Sequence, residues 1–134
     1  MGYAMGERLT RNLIGQSLFR ALSARHPGDG LIHHSDRGSQ YCSGEYRELM
    51  AGYGLLASMS DTGNCFDNAP MESFWGTLKG ELVHHRHYRT RREAIADITE
   101  YIEVFYNRIR IQAGLGFLSP VAYARKFYAG LVAA

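Results

Sequence analysis

Two carboxylates stand in settings that could do chemistry. Asp36 closes a short apolar run in "LIHHSDRGSQY" (31–41), and Glu72 lies at the start of "APMESFWGTLKGEL" (69–82), which reads as a helix opening. If Met71, Trp75, Leu78 and Leu82 form the stripe that faces a core, Glu72 and Lys79 fall on one other face. They are seven residues apart, almost two helical turns. Gly76 lies between them and has no side chain to block close approach. A carboxylate, a gap and an ammonium on one side of a helix suit a metal ion beside a phosphate backbone. The plainer alternative is also consistent with these residues. Glu72 is then a helix-start charge worth a few tenths of a kcal/mol, Lys79 a solvated side chain, and Asp36 a strand-end cap.

His33 and His34 precede Asp36 and invite a metal reading. Alternation along a strand sends one to each face, so they are expected to serve packing or support rather than to hold one ion together. Between Lys79 and Arg92 stand five basic residues (Lys79, Arg86, Arg89, Arg91, Arg92), one acid (Glu81) and three histidines (His84, His85, His87). That segment suits a phosphate backbone, whose contacts make affinity fall with salt. The alternative is a solvated face. Trp75, Tyr101, Phe105 and Tyr106 could stack on bases, but their helical spacing favours packing in a core.

These residues need elements to position them. Residues 2–5 could be the end of a strand. Thr10 can cap a helix to about residue 25, with Leu13, Ile14, Leu18, Ala21 and Leu22 at helical period. "HPGDG" (26–30) is a break. Residues 31–34 read as a buried strand, Ser43 can cap a helix to about 53 that Gly54 ends, and 55–59 read as the next strand. "SDTGNCFDNAP" (60–70) reads as a mobile loop in which Asp67 or Asn68 can cap the helix that Pro70 opens. A longer helix is expected over 91–107, its stripe being Ile95, Ile98, Ile102 and Phe105. A loop and a short helix after Pro120 close the chain. Helices alternating with short apolar strands imply an α/β layer architecture, and in open sheets sites form where strands end. Asp36 follows such an end.

The chain has 134 residues, 46% of them hydrophobic, and a formal net charge of +2. That is one domain's worth of chain with ordinary globular composition, and too little net charge to argue for a polyanionic partner. Cys42 and Cys65 lack CxxC spacing, which excludes a zinc ribbon or disulfide framework and predicts two idle or buried thiols. No apolar run reaches the roughly 18 residues that cross a bilayer, and the first residues lack a signal peptide's apolar core. The expectation is a cytoplasmic protein without a membrane partner.

An interval of 35 residues separates Asp36 from Glu72. With "HSDRGSQY", "GNCFDNAPMESFWGTLKGEL" and "YIEVFYNRIR", that spacing closely resembles insertion-sequence transposases that share the retroviral integrase catalytic core, over residues 2 to about 128. The resemblance implies a ribonuclease H-like fold, a mixed sheet flanked by helices. It implies a site of two aspartates and a glutamate in which Asp36 is the second catalytic carboxylate and Glu72 the third. Both would hold Mg²⁺ or Mn²⁺, two ions in a complete site, as suits hard ions that prefer carboxylate oxygens. The implied reactions are phosphodiester cleavage at an element end, then attack of the freed 3′-hydroxyl on target DNA. Lys79 falls where integrases carry a lysine that contacts the DNA end. Residues 60–68 match the flexible active-site loop, and Asn64 in that loop joins Arg86, Arg89, Arg91 and Arg92 as an expected DNA contact. The partners implied are double-stranded DNA, both element ends and target, and further copies of the chain in a homo-oligomer associated with the bacterial nucleoid.

Departures from the family pattern bound this. "GYAMG" (2–6) aligns with the family's third strand, so the first two strands and the first catalytic aspartate have no counterpart here. Glu7 and Asp29 are the only upstream acids, and neither stands in the family's context. The expected organisation is a partial integrase core over 1–110 and a C-terminal loop and short helix over 111–134. Alone, the chain is expected to be inactive or very weak, with an exposed sheet edge that invites pairing. Asp61-Thr62 replaces a residue that is often basic, and "IQAGLGF" (111–117) lacks the family's histidine. Two other functions compete: a non-catalytic DNA-binding or subunit-interaction piece, and a ribonuclease H-like nuclease acting on RNA–DNA hybrids.

Overall fold

The computed structural model describes residues 2–60 and 68–132, the side chains of 131 and 132 excepted. The chain divides into two compact units, Met1–Gly76 and Thr77–Ala134. It is a mixed α/β protein, mostly helical, with one small parallel sheet among the described residues.

In the first unit α1 spans Arg11–Arg25. The Thr10 hydroxyl accepts from the Leu13 amide at 3.2 Å and satisfies one of the donors that a helix start leaves open. His26 ends the helix in the left-handed region, its amide donating to the Leu22 carbonyl at 2.8 Å. The strands are β1 (Ile32–Ser35) and β2 (Leu56–Met59), paired in parallel with His34 opposite Ser58. Between them α2 (Gly44–Gly52) is capped by Ser43, whose hydroxyl accepts from the Tyr46 amide. Gly54 follows α2 with φ +67°, and a side chain there would also collide with the Asp29 carboxylate. The β1–α2–β2 crossover places α2 against β2, and α1 packs on α2. The core is Ile14, Leu18, Tyr46, Met50 and Leu55, with Leu22, Tyr41 and Leu49 around it. Ile14, Leu18 and Leu22 are one helical stripe, as the sequence period requires.

Residues 2–5 form no strand. Their backbone lies against α1: Ser17 donates its hydroxyl to the Gly2 carbonyl at 3.2 Å, and the Arg20 guanidinium donates to the Tyr3 carbonyl at 2.9 Å. A Cβ on Gly2 would overlap the α1 backbone at Ala21. Side chains from a helix thus satisfy carbonyls that a strand would offer to a neighbour.

The helix α3 (Ala69–Glu81) begins in the first unit and ends in the second. Its buried stripe is Phe74, Leu78 and Leu82, rather than the expected Met71, Trp75, Leu78 and Leu82. Met71 and Trp75 are about half exposed, at 53% and 47%. Phe74 at i, i+4 and i+8 continues the period equally well, so the count of apolar residues could not choose the face.

In the second unit α4 (Arg91–Glu100) is capped by the Thr90 hydroxyl and continues as a π-helical segment, Tyr101–Ile109. The expected stripe holds at Ile102, and the π-helical winding changes which later residues share a side. In an α-helix Tyr101 and Arg110, nine residues apart, would point to opposite sides, since nine residues make about two and a half turns. The wider i→i+5 turn brings them round to one side. There the Tyr101 hydroxyl donates to Glu81 at 2.6 Å and Arg110 grips the same carboxylate through Nε (2.9 Å) and Nη2 (2.7 Å). Ile102 is buried, whereas Ile95 and Phe105 are exposed over about two-fifths of their surface. The core reading of the aromatics therefore holds for Tyr101, which is buried, but not for Phe105 or Trp75. α5 (Pro120–Val132) packs against the π-helical segment.

Two outcomes test this packing. Met50→Ala should cost about 2–5 kcal/mol in urea unfolding, against within about 0.5 kcal/mol for Phe19→Ala at an exposed position. Arg110 holds the Glu81 carboxyl below its ordinary value of 4.5, with Tyr101 adding a second hydrogen bond. A depressed carboxylate contributes stability above its unfolded pKa and loses it as pH falls through the folded one. Glu81→Gln should therefore flatten the acid limb of the stability–pH curve below about pH 4.5, and leave little pH dependence from this site above it.

Candidate active site

Asp36 follows the last residue of β1, and the turn after it fixes the carboxylate. The Gly38 amide donates to Asp36 Oδ1 at 2.8 Å, a side-chain turn that leaves the other oxygen free of that bond. Close packing explains the glycine: a Cβ at position 38 would lie 2.9 Å from Asp36 Oδ1 and 3.4 Å from the Tyr41 ring. Burial raises the Tyr41 hydroxyl pKa, and the nearby Asp36 charge raises it further.

Glu72 lies in the first turn of α3. Asp36 and Glu72 line one cleft of about 450 Å³, together with His34, Ser35, Asn68 and Trp75 among others. The cleft is contained in the first unit. The two carboxylates reach this cleft from a strand end and a helix start.

His33 and His34 point to different partners. His33 Nε2 is 3.2 Å from the Tyr46 hydroxyl, and its Nδ1 is buried with no partner among the described residues. Burial lowers the His33 pKa, while burial raises Tyr46 to about 12. His34 faces the opposite way, with Nδ1 3.0 Å from the Ser58 hydroxyl and Nε2 3.1 Å from the Ser60 hydroxyl. The Asn68 amide donates to the same Ser60 oxygen at 3.0 Å, and the Ser60 hydroxyl reaches the Ser35 carbonyl at 3.4 Å. Arg37 Nε donates to the Ser60 carbonyl at 2.8 Å. Sequence reasoning missed this junction. The strand alternation could have flagged His34 and Ser58 as a pair only with the register of β1 against β2 in hand.

The other expected site residues lie elsewhere. Lys79 is exposed, two turns after Glu72 on α3 and within the second unit. Arg86, Arg89, Arg91 and Arg92 are exposed in that unit, Arg86 lying 3.4 Å from the Asp97 carboxylate. Asn64, Cys65 and Asp67 lie outside the described residues, as does most of the expected loop. Cys42 is an exposed free thiol rather than a buried one.

Two family models, both described as integrase core domain, match residues 1–65 and 72–127. A transposase for insertion sequence element IS904 from Lactococcus lactis is 43% identical over 120 residues, 90% of this chain and 47% of its own length. The chain belongs to the integrase-core insertion-sequence transposases. The transposase InsF for insertion sequence IS3A of Escherichia coli is 40% identical over 126 residues, 94% of this chain and 44% of the relative. An uncharacterized 31 kDa protein of insertion element IS600 from Shigella sonnei is 57% identical over 126 residues, 94% and 46% respectively. The chain spans about half the length of these relatives. No described helix of this transposase-family chain is long and apolar enough to cross a membrane.

Two carboxylates on one cleft suit a hard divalent ion, which completes its shell with water and substrate phosphate. Among the described residues no group of three or more His, Cys, Asp or Glu side chains could hold a metal. Gly38→Ala should displace the Asp36 carboxylate and break its bond to the residue-38 amide. The expected readings are an upfield shift of that amide proton and a stability loss of about 0.5–1.5 kcal/mol, the worth of one such bond.

Proposed function

We propose that this chain supplies the second and third carboxylates, Asp36 and Glu72, of a phosphodiester-cleaving and strand-transferring site in a ribonuclease H-like transposase core. The convergence of Asp36 and Glu72 on one cleft carries the reading. The transposase names of the relatives support the substrate class, double-stranded DNA. Mg²⁺ or Mn²⁺, when bound, supplies charge to stabilise the attacked phosphate and acidity to its bound water. Asp36 offers the carboxylate oxygen not taken by Gly38, and its strand-end turn orients that oxygen before any ligand arrives. Glu72 brings its charge to the cleft from a helix start, where the helix dipole favours an anion. Lys79, two turns further along α3, offers an ammonium for a phosphate of the DNA end. Arg86, Arg89, Arg91 and Arg92 offer further cations to the phosphate backbone, and Asn64 an amide from the segment between β2 and α3.

With two carboxylates rather than three, the chain alone cleaves weakly or not at all. The expected result with a labelled element end and Mn²⁺ is no cleavage above background. Cleavage that disappears in Asp36→Asn would show that two ligands suffice. Asparagine at 36 can still accept from the Gly38 amide, so Asp36→Asn should keep stability within about 0.5 kcal/mol. Its Mn²⁺ affinity should nevertheless fall by more than the roughly tenfold that loss of a supporting partner causes. Glu72→Gln should do the same. Unchanged Mn²⁺ binding in both variants would remove the reading.

Binding to element-end DNA should weaken with salt. Arg89→Ala and Arg92→Ala each remove one cation from the phosphate backbone, and each should make the log–log slope shallower by about 0.9.

A further inference from the structure

We infer that the Ser60 hydroxyl is a positioning group that fixes the start of α3, and with it Glu72, relative to the end of β1, and with it Asp36. The inference rests on the reading of those two carboxylates as metal ligands. Ser60 is buried, at 5% exposure, and follows the last residue of β2. Its backbone amide donates to the Ser35 carbonyl at 3.0 Å, extending the β1–β2 ladder by one bond to the residue before Asp36. Its carbonyl accepts from Arg37, the residue after Asp36. Asp36 is therefore flanked on both sides by bonds to one residue. The Ser60 hydroxyl then accepts from the Asn68 amide, one residue before α3 and four before Glu72. Ser60 and Asn68 bracket residues 61–67, so this bond joins the two ends of that segment directly.

A serine hydroxyl has one proton to give and two lone pairs to receive with. Asn68 Nδ2 takes one lone pair, and the proton goes either to His34 Nε2 at 3.1 Å or to the Ser35 carbonyl at 3.4 Å. The bond from Asn68 to Ser60 is the same in both arrangements, and His34 meets the Ser58 hydroxyl at 3.0 Å through its other nitrogen.

The test uses the full chain, labelled with ¹⁵N, and Mn²⁺ alone as the probe. In ¹H–¹⁵N spectra the Asn68 side-chain amide protons should shift in Ser60→Ala and stay in place in Ser58→Ala. Mn²⁺ affinity, read from the electron paramagnetic resonance of the free ion, should fall about tenfold in Ser60→Ala and stay within about twofold in Ser58→Ala, which spares the link to Asn68. Asn68 side-chain amide protons that do not move in Ser60→Ala overturn the inference, and so does a folded Ser60→Ala that binds Mn²⁺ like the wild type. If Ser60→Ala does not fold, Asn68→Ala at a half-buried position carries the comparison, with weakened binding in support and unchanged binding against. If the wild type binds no Mn²⁺, the metal reading fails by itself, and the Asn68 amide spectra still decide whether Ser60 holds the start of α3.

Discussion

The parallel pairing of β1 with β2 is the constraint on which the site depends. Ile32 lies opposite Leu56 and Ser35 opposite Met59, and that register alone brings Ser60 beside Ser35. A slip of one residue would turn every side chain of a strand to its other face. His34 would lose Ser58, and the residue beside Asp36 would no longer be Ser60. Two strands of four residues hold this register because α2 packs on β2 and α1 packs on α2, burying Tyr46, Met50 and Leu55 together. The apolar core and the polar junction are therefore one arrangement seen from two sides. His33 faces Tyr46 and the core, and His34 faces the serines.

The cleft joins two kinds of backbone terminus. A strand end presents Asp36 with its carboxylate already turned by Gly38, and a helix start presents Glu72 with the dipole behind it. Both devices act within a few residues of the anion they orient. Neither requires a long-range salt bridge, and neither carboxylate is buried.

Features governed by neighbours in the chain were legible in the sequence. Thr10 and Ser43 cap the helices expected of them, Gly54 takes the positive φ after α2, and both strands lie within a residue or so of their expected places. The separation of Asp36 and Glu72 pointed to a shared site, and the two residues line the same cleft. Features governed by what lies across space were not legible. Met71 and Phe74 are equally good starts for an apolar stripe on α3, and only the packing picks Phe74. Residues 2–5 have strand composition, yet their carbonyls are taken by Ser17 and Arg20 of α1. The Ser60 junction uses residues with no pattern in sequence, since His34, Ser60 and Asn68 come from two strand ends and a helix start.

The π-helical segment has a consequence for how this chain is counted. From Arg91 to Glu100 a residue's number gives its side of the helix by the ordinary 3.6-residue rule. Within Tyr101–Ile109 the rule is different, and the helix ends there, with Arg110 extended. Over those nine residues the winding is wider, as a screw might hold a widened thread. Glu81 locks that widened thread from outside, with Tyr101 at one end and Arg110 at the other. A comparison with an evenly wound helix that preserves every letter would still set the two surfaces out of phase.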